Sequence, residues 1–203
     1  MAIRSWLRKI CSGQGVPQAK NVSAATDAPD GRANRDEAIA YALSLSGLVN
    51  EQPSTLAFYQ NTFSDHPSRF VTYNDLRKQG DLLHGESLKA LGLRANVKLS
   101  AQFLSTLNEQ GRADPLSAAV VIGRAVSTAL CTLRDIAKLE AAGMDSVKLL
   151  ASNMAAGPCD PAAKLDGQSM PIGDCPILPL RRCSHPGQCA CLYQAQFTLL
   201  DDL

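Results

Sequence analysis

The segment 114-DPLSAAVVIGRAVSTALCTLRDIAKLEAAG-143 decides the fold of this chain. Its Asp-Pro start is typical of a helix N-cap followed by proline at the first helical position, and Gly143 supplies a C-terminal stop. Between these ends, apolar residues recur in alternating steps of three and four, as on a helix that packs against another helix. This seam consists of Ala119, Ile122, Val126, Ala129, Leu133 and Ile136, and it is widened by Leu116, Val120 and Leu130. The sequence therefore predicts one long helix at the centre of the core, with Leu133 buried and Cys131 acting as a small apolar residue.

The region upstream of this helix also has a helical pattern. Polar capping residues precede apolar residues at helical spacing several times between Asn34 and the long helix. The predicted elements are a helix capped by Asn34 or Asp36 that runs through Leu48, a helix capped by Thr72 or Asn74 that runs through Leu83, and shorter helices at 87–91 and 100–107. We therefore expect residues 35–143 to form a helical domain.

Composition and charge narrow the function classes. Of the 203 residues, 45% are hydrophobic but only 5% are aromatic, which favours helices packed through Leu, Ala, Val and Ile. Twenty basic residues against nineteen acidic ones leave the chain almost neutral. Because proteins that bind nucleic acids through phosphate contacts usually carry a basic domain, we do not expect a nucleic-acid partner.

One basic stretch is nevertheless similar to a DNA-binding motif. Residues 86–107 contain an apolar segment, Gly92, and then Arg94, Asn96 and Lys98 before the next apolar segment, which loosely resembles a helix-turn-helix. Lys98, however, occupies a position that such a motif buries. Two packed helices joined by a solvated basic connection explain the pattern better, and DNA binding stays an alternative.

The first 34 residues differ from the rest of the chain. Residues 2–10 place Ile3, Trp6, Leu7 and Ile10 on one helical face and Arg4, Arg8 and Lys9 on the other. This pattern fits a short docking helix or the frayed start of a domain, and it also fits a helix on a membrane surface, which we do not expect. Residues 12–34 contain few large apolar side chains and are predicted to be a flexible linker. With no secretory signal and no apolar run long enough for a membrane span, we expect a cytoplasmic protein; an exported protein is the alternative.

The region from Met144 onwards has short strand-like segments separated by turns. Residues 147–151 predict a strand, 169–172 predict a returning strand, and Leu192 begins a third apolar segment. Turns are predicted at 157–159 and 164–167. The fold class is therefore mainly α, a helical domain with a small C-terminal β-hairpin and Cys-rich module, or α+β overall. The expected domains are 1–34, 35–143 and 144–203.

This C-terminal region also concentrates residues that bind metals. Five cysteines and one histidine fall within it: Cys159, Cys175, Cys183, His185, Cys189 and Cys191. In a reducing compartment, clustered thiols are more often zinc ligands than disulfides. We predict one zinc ion per chain, bound by Cys159, Cys183, Cys189 and either Cys175, His185 or Cys191. Up to six donors are enough to close a tetrahedral site, so the zinc is expected to be structural rather than catalytic.

The same residues carry a family resemblance. The residues Cys159, Leu165-Asp166-Gly167, His185-Pro186, Cys189, Cys191 and Tyr193 resemble the C-terminal cysteine module of the phage head morphogenesis (minor head protein) family and related bacterial proteins. The similarity covers residues 147–193. It departs from the family pattern at Ala162, where the partner of Cys159 would stand, and by one extra residue between His185 and Cys189. The resemblance implies a small structural zinc module in a virion-related or horizontally acquired context, and no catalysis.

Several function classes follow from these observations. We expect a non-enzymatic protein in which a structural zinc module is attached to a helical domain that binds a protein partner. One alternative is an exported effector or a phage-derived structural protein in which disulfides hold the same cysteines. Another is an enzyme with Cys183 as nucleophile and His185 as its base, although neighbours in sequence rarely have the geometry that this pairing requires.

Overall fold

The computed structural model describes residues 33–64, 71–152 and 157–196. The predicted N-terminal helix and almost all of the predicted linker lie outside these ranges. Within them the chain forms helices followed by a small sheet, so the mainly α class with a small β part is confirmed. The helices are α1 (Arg35–Ser46), α2 (Pro53–Ser64), α3 (Tyr73–Lys78), α4 (Gly85–Ala90), α5 (Ala101–Thr106), α6 (Glu109–Ala113), α7 (Pro115–Ala141) and α8 (Asp160–Leu165). The strands are β1 (Ser146–Leu150), β2 (Ser169–Pro171) and β3 (Leu192–Ala195).

Capping residues fix where the first helices begin. The Asn34 side chain accepts a hydrogen bond from the Glu37 N–H, and the Glu37 carboxylate accepts one from the Asn34 N–H, which completes a capping box at the start of α1. The helix ends at Gly47, whose φ of 62° is the left-handed conformation that glycine adopts readily, so α1 stops short of Leu48. Thr72 caps α3 in the same way.

The prediction that the helix after Thr72 continues to Leu83 is wrong. Helix α3 ends at Lys78, and Gly80 follows with a φ of 104°. Leu82 then forms an isolated β-bridge with Ser100, and the Leu83 N–H donates to the Leu99 carbonyl at 2.8 Å. These two leucines therefore belong to an extended connection rather than to a helix.

The two short helices predicted next are present as α4 and α5, but they do not form a helix-turn-helix. Residues 91–100 separate them, whereas that motif uses a turn of about 3–4 residues. The side chains of Arg94, Asn96 and Lys98 are exposed on this connection, as the interpretation of two helices joined by a solvated basic segment predicted. Helices α2 and α6 were not placed individually from the sequence.

Helix α7 confirms the central prediction. The Asp114 carboxylate accepts a hydrogen bond from the Ser117 N–H at 3.1 Å, Pro115 is the first helical residue, and Gly143 has a φ of 76° just beyond the helix. Five of the six predicted seam residues are buried, the exception being Leu133, which is only half-buried. The burial of Leu133 was therefore predicted wrongly.

The position of Leu133 follows from a change of partners along α7. The apolar face of α7 from Ala118 to Ala129 is buried in the core of the helical unit, whereas Ile136 belongs to a second cluster with Val147 and Ile172 near the sheet. Leu133 lies at the margin of the first cluster, between these two contacts. The three-four spacing of apolar residues along α7 cannot predict such a transition. The transition depends on which other elements pack against the helix, and the sequence of the helix does not specify them.

The length and composition of α7 are sufficient to cross a membrane, contrary to the expectation that no segment of this chain is long enough. In this structure, 44% of the most apolar part of the helix is buried against other parts of the chain. The helix contributes to a buried core that includes Ala38, Ile39, Leu43, Tyr59, Leu76, Leu99, Phe103, Ala119, Ile122, Val126 and Ile177.

The sheet has the order β2-β1-β3, and both pairs are antiparallel. Val147 pairs with Met170, and Leu149 pairs with Tyr193, so the predicted strands are present.

Helix α8 lies in the connection where only turns were predicted. In the second predicted turn, 164–167, Lys164 and Leu165 belong to this helix instead. Gly167, with a φ of 69°, has the left-handed conformation of a tight turn. Asp160 and Pro161 are the first two residues of this helix, one position further in than Asp114 and Pro115 at the start of α7, and this pair is the signal that was missed.

Candidate metal centre

Four of the six predicted donors meet at one place. Cys159, Cys183, Cys189 and Cys191 lie in one buried cluster, each with between 7% and 9% of its surface exposed. Different elements deliver them. Cys159 caps α8, and Cys191 directly precedes β3. Cys183 and Cys189 stand on either side of a short 3-10 turn at Pro186–Gln188.

The other two predicted donors are not members of this four-thiol cluster: Cys175 belongs to another buried cluster, and His185 is exposed. Cys175 is fully buried in the second apolar cluster, with Ile136 and Ile172, and its thiol donates to the Pro171 carbonyl at 3.5 Å. Burial, together with the charges of nearby acidic groups, raises the pKa of Cys175 to about 12. The His185 ring is exposed, and its Nδ1 shares a 2.9 Å hydrogen bond with the Ser184 hydroxyl.

The four thiols interact with one another. The Cys189 thiol is within hydrogen-bonding reach of both Cys183 and Cys191, and Cys159 is within reach of Cys183. Hydrogen bonding from Cys189 lowers the pKa of Cys183 to about 6 and that of Cys191 to about 7. The pKa of Cys189 is raised by the same bonds, and that of Cys159 is raised mainly by burial. The Cys191 thiol also donates to the Ser152 carbonyl at 3.2 Å.

Main-chain N–H groups surround the sulfurs. The N–H groups of Ala162, His185 and Cys191 lower the pKa of Cys159, Cys183 and Cys189, respectively. The Ser152 N–H donates to Cys191 Sγ at 3.4 Å. A backbone N–H group therefore lies near each of the four sulfurs, as is common around the ligands of metal sites. Sequence inspection missed these donors because every residue type except proline carries one.

The cluster has the form of reduced cysteines. Each cysteine within the described ranges has a free thiol. In the same ranges, no three Cys, His, Asp or Glu side chains are arranged as a group that could hold a metal ion. The sulfurs are placed instead as thiols that share protons. Binding a zinc ion would require the protons to leave and the sulfurs to close to about 2.3 Å from the metal.

A groove lies beside the four-thiol cluster. Its cavity volume is about 410 Å³, and it separates one face of α7 from the segment that carries Cys189 and Cys191. Cys131 on α7 lines the same groove. Burial raises the pKa of this half-buried thiol, so Cys131 is predominantly protonated at neutral pH.

The cysteine segment is packed on the helical unit. Ile177 belongs to the core of the helices, and the Tyr41 hydroxyl donates to the Pro179 carbonyl at 2.9 Å. Gly187, in the turn between Cys183 and Cys189, lies against Val121 of α7.

Comparison with protein-family models, with curated proteins and with solved structures gave no match to this chain.

Proposed function

We propose that Cys159, Cys183, Cys189 and Cys191 bind one structural zinc ion, and that the protein is a non-enzymatic scaffold whose helical part binds a protein partner. The observation that carries this proposal is that these four cysteines, from separate parts of the C-terminal region, meet in one buried cluster with a backbone N–H group near each sulfur. The proposal narrows the donors expected from the sequence, because it leaves out Cys175 and His185.

The charge of the site explains why these N–H groups favour metal binding. Four thiolates around a divalent ion leave a net charge of about −2, which is costly to bury without compensation. One N–H donor for each sulfur disperses that charge and orients the sulfur lone pairs. An apolar core of ordinary cysteines needs no such donors, since a protonated thiol is only a weak acceptor.

A structural role fits this donor set better than a catalytic one. Catalytic zinc sites keep one position open for water, whereas four cysteines close a tetrahedral site. Between Cys159 and Cys191 the regular elements are α8, the short strand β2 and two 3-10 turns of three residues each. A cross-link among four points of this segment would therefore contribute directly to its folding.

The proposed protein partner has support of a more general kind. Tyr73 and Leu82 expose 40% and 42% of their surfaces on the helical side of the molecule. Leu150 and Leu192, which pair across β1 and β3, are also exposed. Exposed apolar residues of this size are common in protein interfaces, although single ones are also normal on monomer surfaces.

The test is the zinc content of protein purified from a reducing cytosol, together with a count of free thiols. We expect close to one zinc per chain. Replacing Cys159, Cys183, Cys189 or Cys191 individually with serine should abolish stoichiometric binding. Matched controls are Cys175→Ser and His185→Ala, which should retain the zinc because Cys175 lies in another buried cluster and the His185 ring is exposed.

Two results would contradict the proposal in different ways. Metal-free protein with four thiols missing from the count would mean that two disulfides hold the cluster, as the exported alternative requires. Loss of zinc in Cys175→Ser or His185→Ala, with retention in Cys191→Ser, would mean that the wrong donors were selected.

A further inference from the structure

The turn between Cys183 and Cys189 makes a close contact with α7. Gly187 is buried, and a Cβ atom at this position would lie 2.7 Å from the Cα of Val121 and 3.1 Å from its Cβ. Side-chain atoms do not approach backbone atoms that closely. The backbone of the turn therefore lies directly on the helix, and residue 187 has no room for any side chain.

The conformation of this turn depends on its two ends. Cys183 and Cys189 flank it, and the Gln188 N–H donates to the His185 carbonyl at 2.9 Å within it. Both flanking cysteines belong to the four-thiol cluster. Anything that holds these two sulfurs at a fixed separation therefore restricts the backbone that lies on Val121.

We propose that zinc binding at the four-thiol cluster and docking of the 186–188 turn on α7 are energetically coupled, so that the turn is a metal-controlled latch. This inference rests on the proposed zinc site. Coupling is reciprocal: if zinc stabilises the docked turn, any change that opposes docking lowers the affinity for zinc by the same factor.

The segment has further attachments to the helices upstream of Cys183. Ile177 is buried among the helices, and the bond from Tyr41 to the Pro179 carbonyl also lies upstream of Cys183. Neither contact involves a residue of the four-thiol cluster. Removing zinc should therefore release the 186–188 turn and expose Val121, while residues 177–179 stay in place.

The experiment measures zinc affinity by competition with a chromophoric chelator. Gly187→Ala places a methyl group against Val121 without changing a thiol. Gln188→Ala is the matched control, because this side chain is exposed in the same turn. Val121→Phe opposes docking from the helix side and alters no residue of the cysteine segment. Circular dichroism of each variant reports whether the helices remain folded.

We expect Gly187→Ala and Val121→Phe each to weaken zinc binding about tenfold or more, which is within the usual range of coupling between sites. Gln188→Ala should change the affinity for zinc by less than about twofold. Hydrogen exchange of the wild type should show that a strong chelator increases exchange in residues 186–190. If Gly187→Ala unfolds the helices, Val121→Phe decides the question.

The outcomes separate the two proposals. Zinc bound by the wild type with unchanged affinity in Val121→Phe and in folded Gly187→Ala would overturn the latch and leave the zinc site standing. Absence of zinc from the wild type would overturn both. Equal weakening by Gln188→Ala would also overturn the latch, because it would mean that any change in the turn perturbs the ligands.

Discussion

Tyr59 and Thr106 share a buried hydrogen bond of 3.0 Å although 47 residues separate them in sequence. The Thr106 hydroxyl donates its own proton to the Phe103 carbonyl at 2.7 Å, which makes Tyr59 the donor. Burial raises the pKa of Tyr59, so its proton stays in place at all ordinary pH values. This bond joins α2 to α5 inside the helical core.

Removing this hydroxyl should destabilise the helical unit. We expect Tyr59→Phe to lower the free energy of unfolding by about 0.5–1.5 kcal/mol, since a buried acceptor loses its donor while the ring stays packed. Urea denaturation measures the change. Tyr73→Phe is the control, because Tyr73 is 40% exposed. Equal midpoints for Tyr59→Phe and the wild type would show that the bond does not contribute.

The two clusters along α7 predict unequal costs of truncation. Ile122 is fully buried, so Ile122→Ala should cost about 2–5 kcal/mol through lost transfer energy and the cavity left behind. Leu133 is half-buried, and Leu133→Ala should cost roughly half as much because less apolar surface is lost and the site can relax. Thermal or urea unfolding compares the two variants. A larger loss for Leu133→Ala would mean that the margin of the core has been located wrongly.

The N-cap of α7 should make stability depend on acid pH. Hydrogen bonds from the Ser117 hydroxyl and N–H lower the pKa of Asp114 below its ordinary value of 3.8. The stabilisation is therefore complete above pH 3.8 and is lost as the pH falls through the lower value of the folded state. At neutral pH, Asp114→Ala should cost about 0.5–2 kcal/mol.

Asp114→Asn separates the charge from the cap. Asparagine caps helices about as well as aspartate does but does not titrate. The difference in stability between wild type and Asp114→Ala should shrink between pH 5 and pH 2, whereas the difference between Asp114→Asn and Asp114→Ala should stay nearly constant over about that range. Urea unfolding at several pH values measures both differences. A constant difference for the wild type would mean that the Asp114 carboxylate has an ordinary pKa.

Chelation should act locally. Removing zinc from purified protein should increase hydrogen exchange around Cys159 and from Cys183 to Cys191, because the proposed cross-link among these residues is lost. Exchange in α1 and α2 should not change, since their core is built from apolar side chains. Unchanged protection around Cys159 and Cys191 after complete metal removal would contradict a structural zinc at this site.

The parts of the fold that the sequence predicted well are those with local signals. Asn34 and Asp114 each begin a helix through their own side chain, and Gly143 follows the end of α7 with a left-handed φ. Gly47 ends α1 in the same conformation, although that helix was predicted to run through Leu48. The end of α3 was misplaced because the bridge between Leu82 and Ser100 is a tertiary contact that local propensity does not encode.

The candidate site divides in the same way. The concentration of cysteines near the C-terminus was visible in the sequence. The separation of Cys175 from the four-thiol cluster was not, because it depends on packing against Ile136, which lies 39 residues upstream. The exposure of His185 likewise depends on how the following turn sits on α7.

The four backbone donors around the sulfurs also bear on which variants of this chain can survive. Because these N–H groups belong to the main chain, substitution of the exposed side chains of Ser152 and His185 leaves the N–H groups near the sulfurs in place. Proline alone abolishes the donor. A library of variants selected for zinc retention should therefore contain nearly every amino acid except proline at positions 152 and 185. At these two positions the proposed site would exclude one residue type and require none.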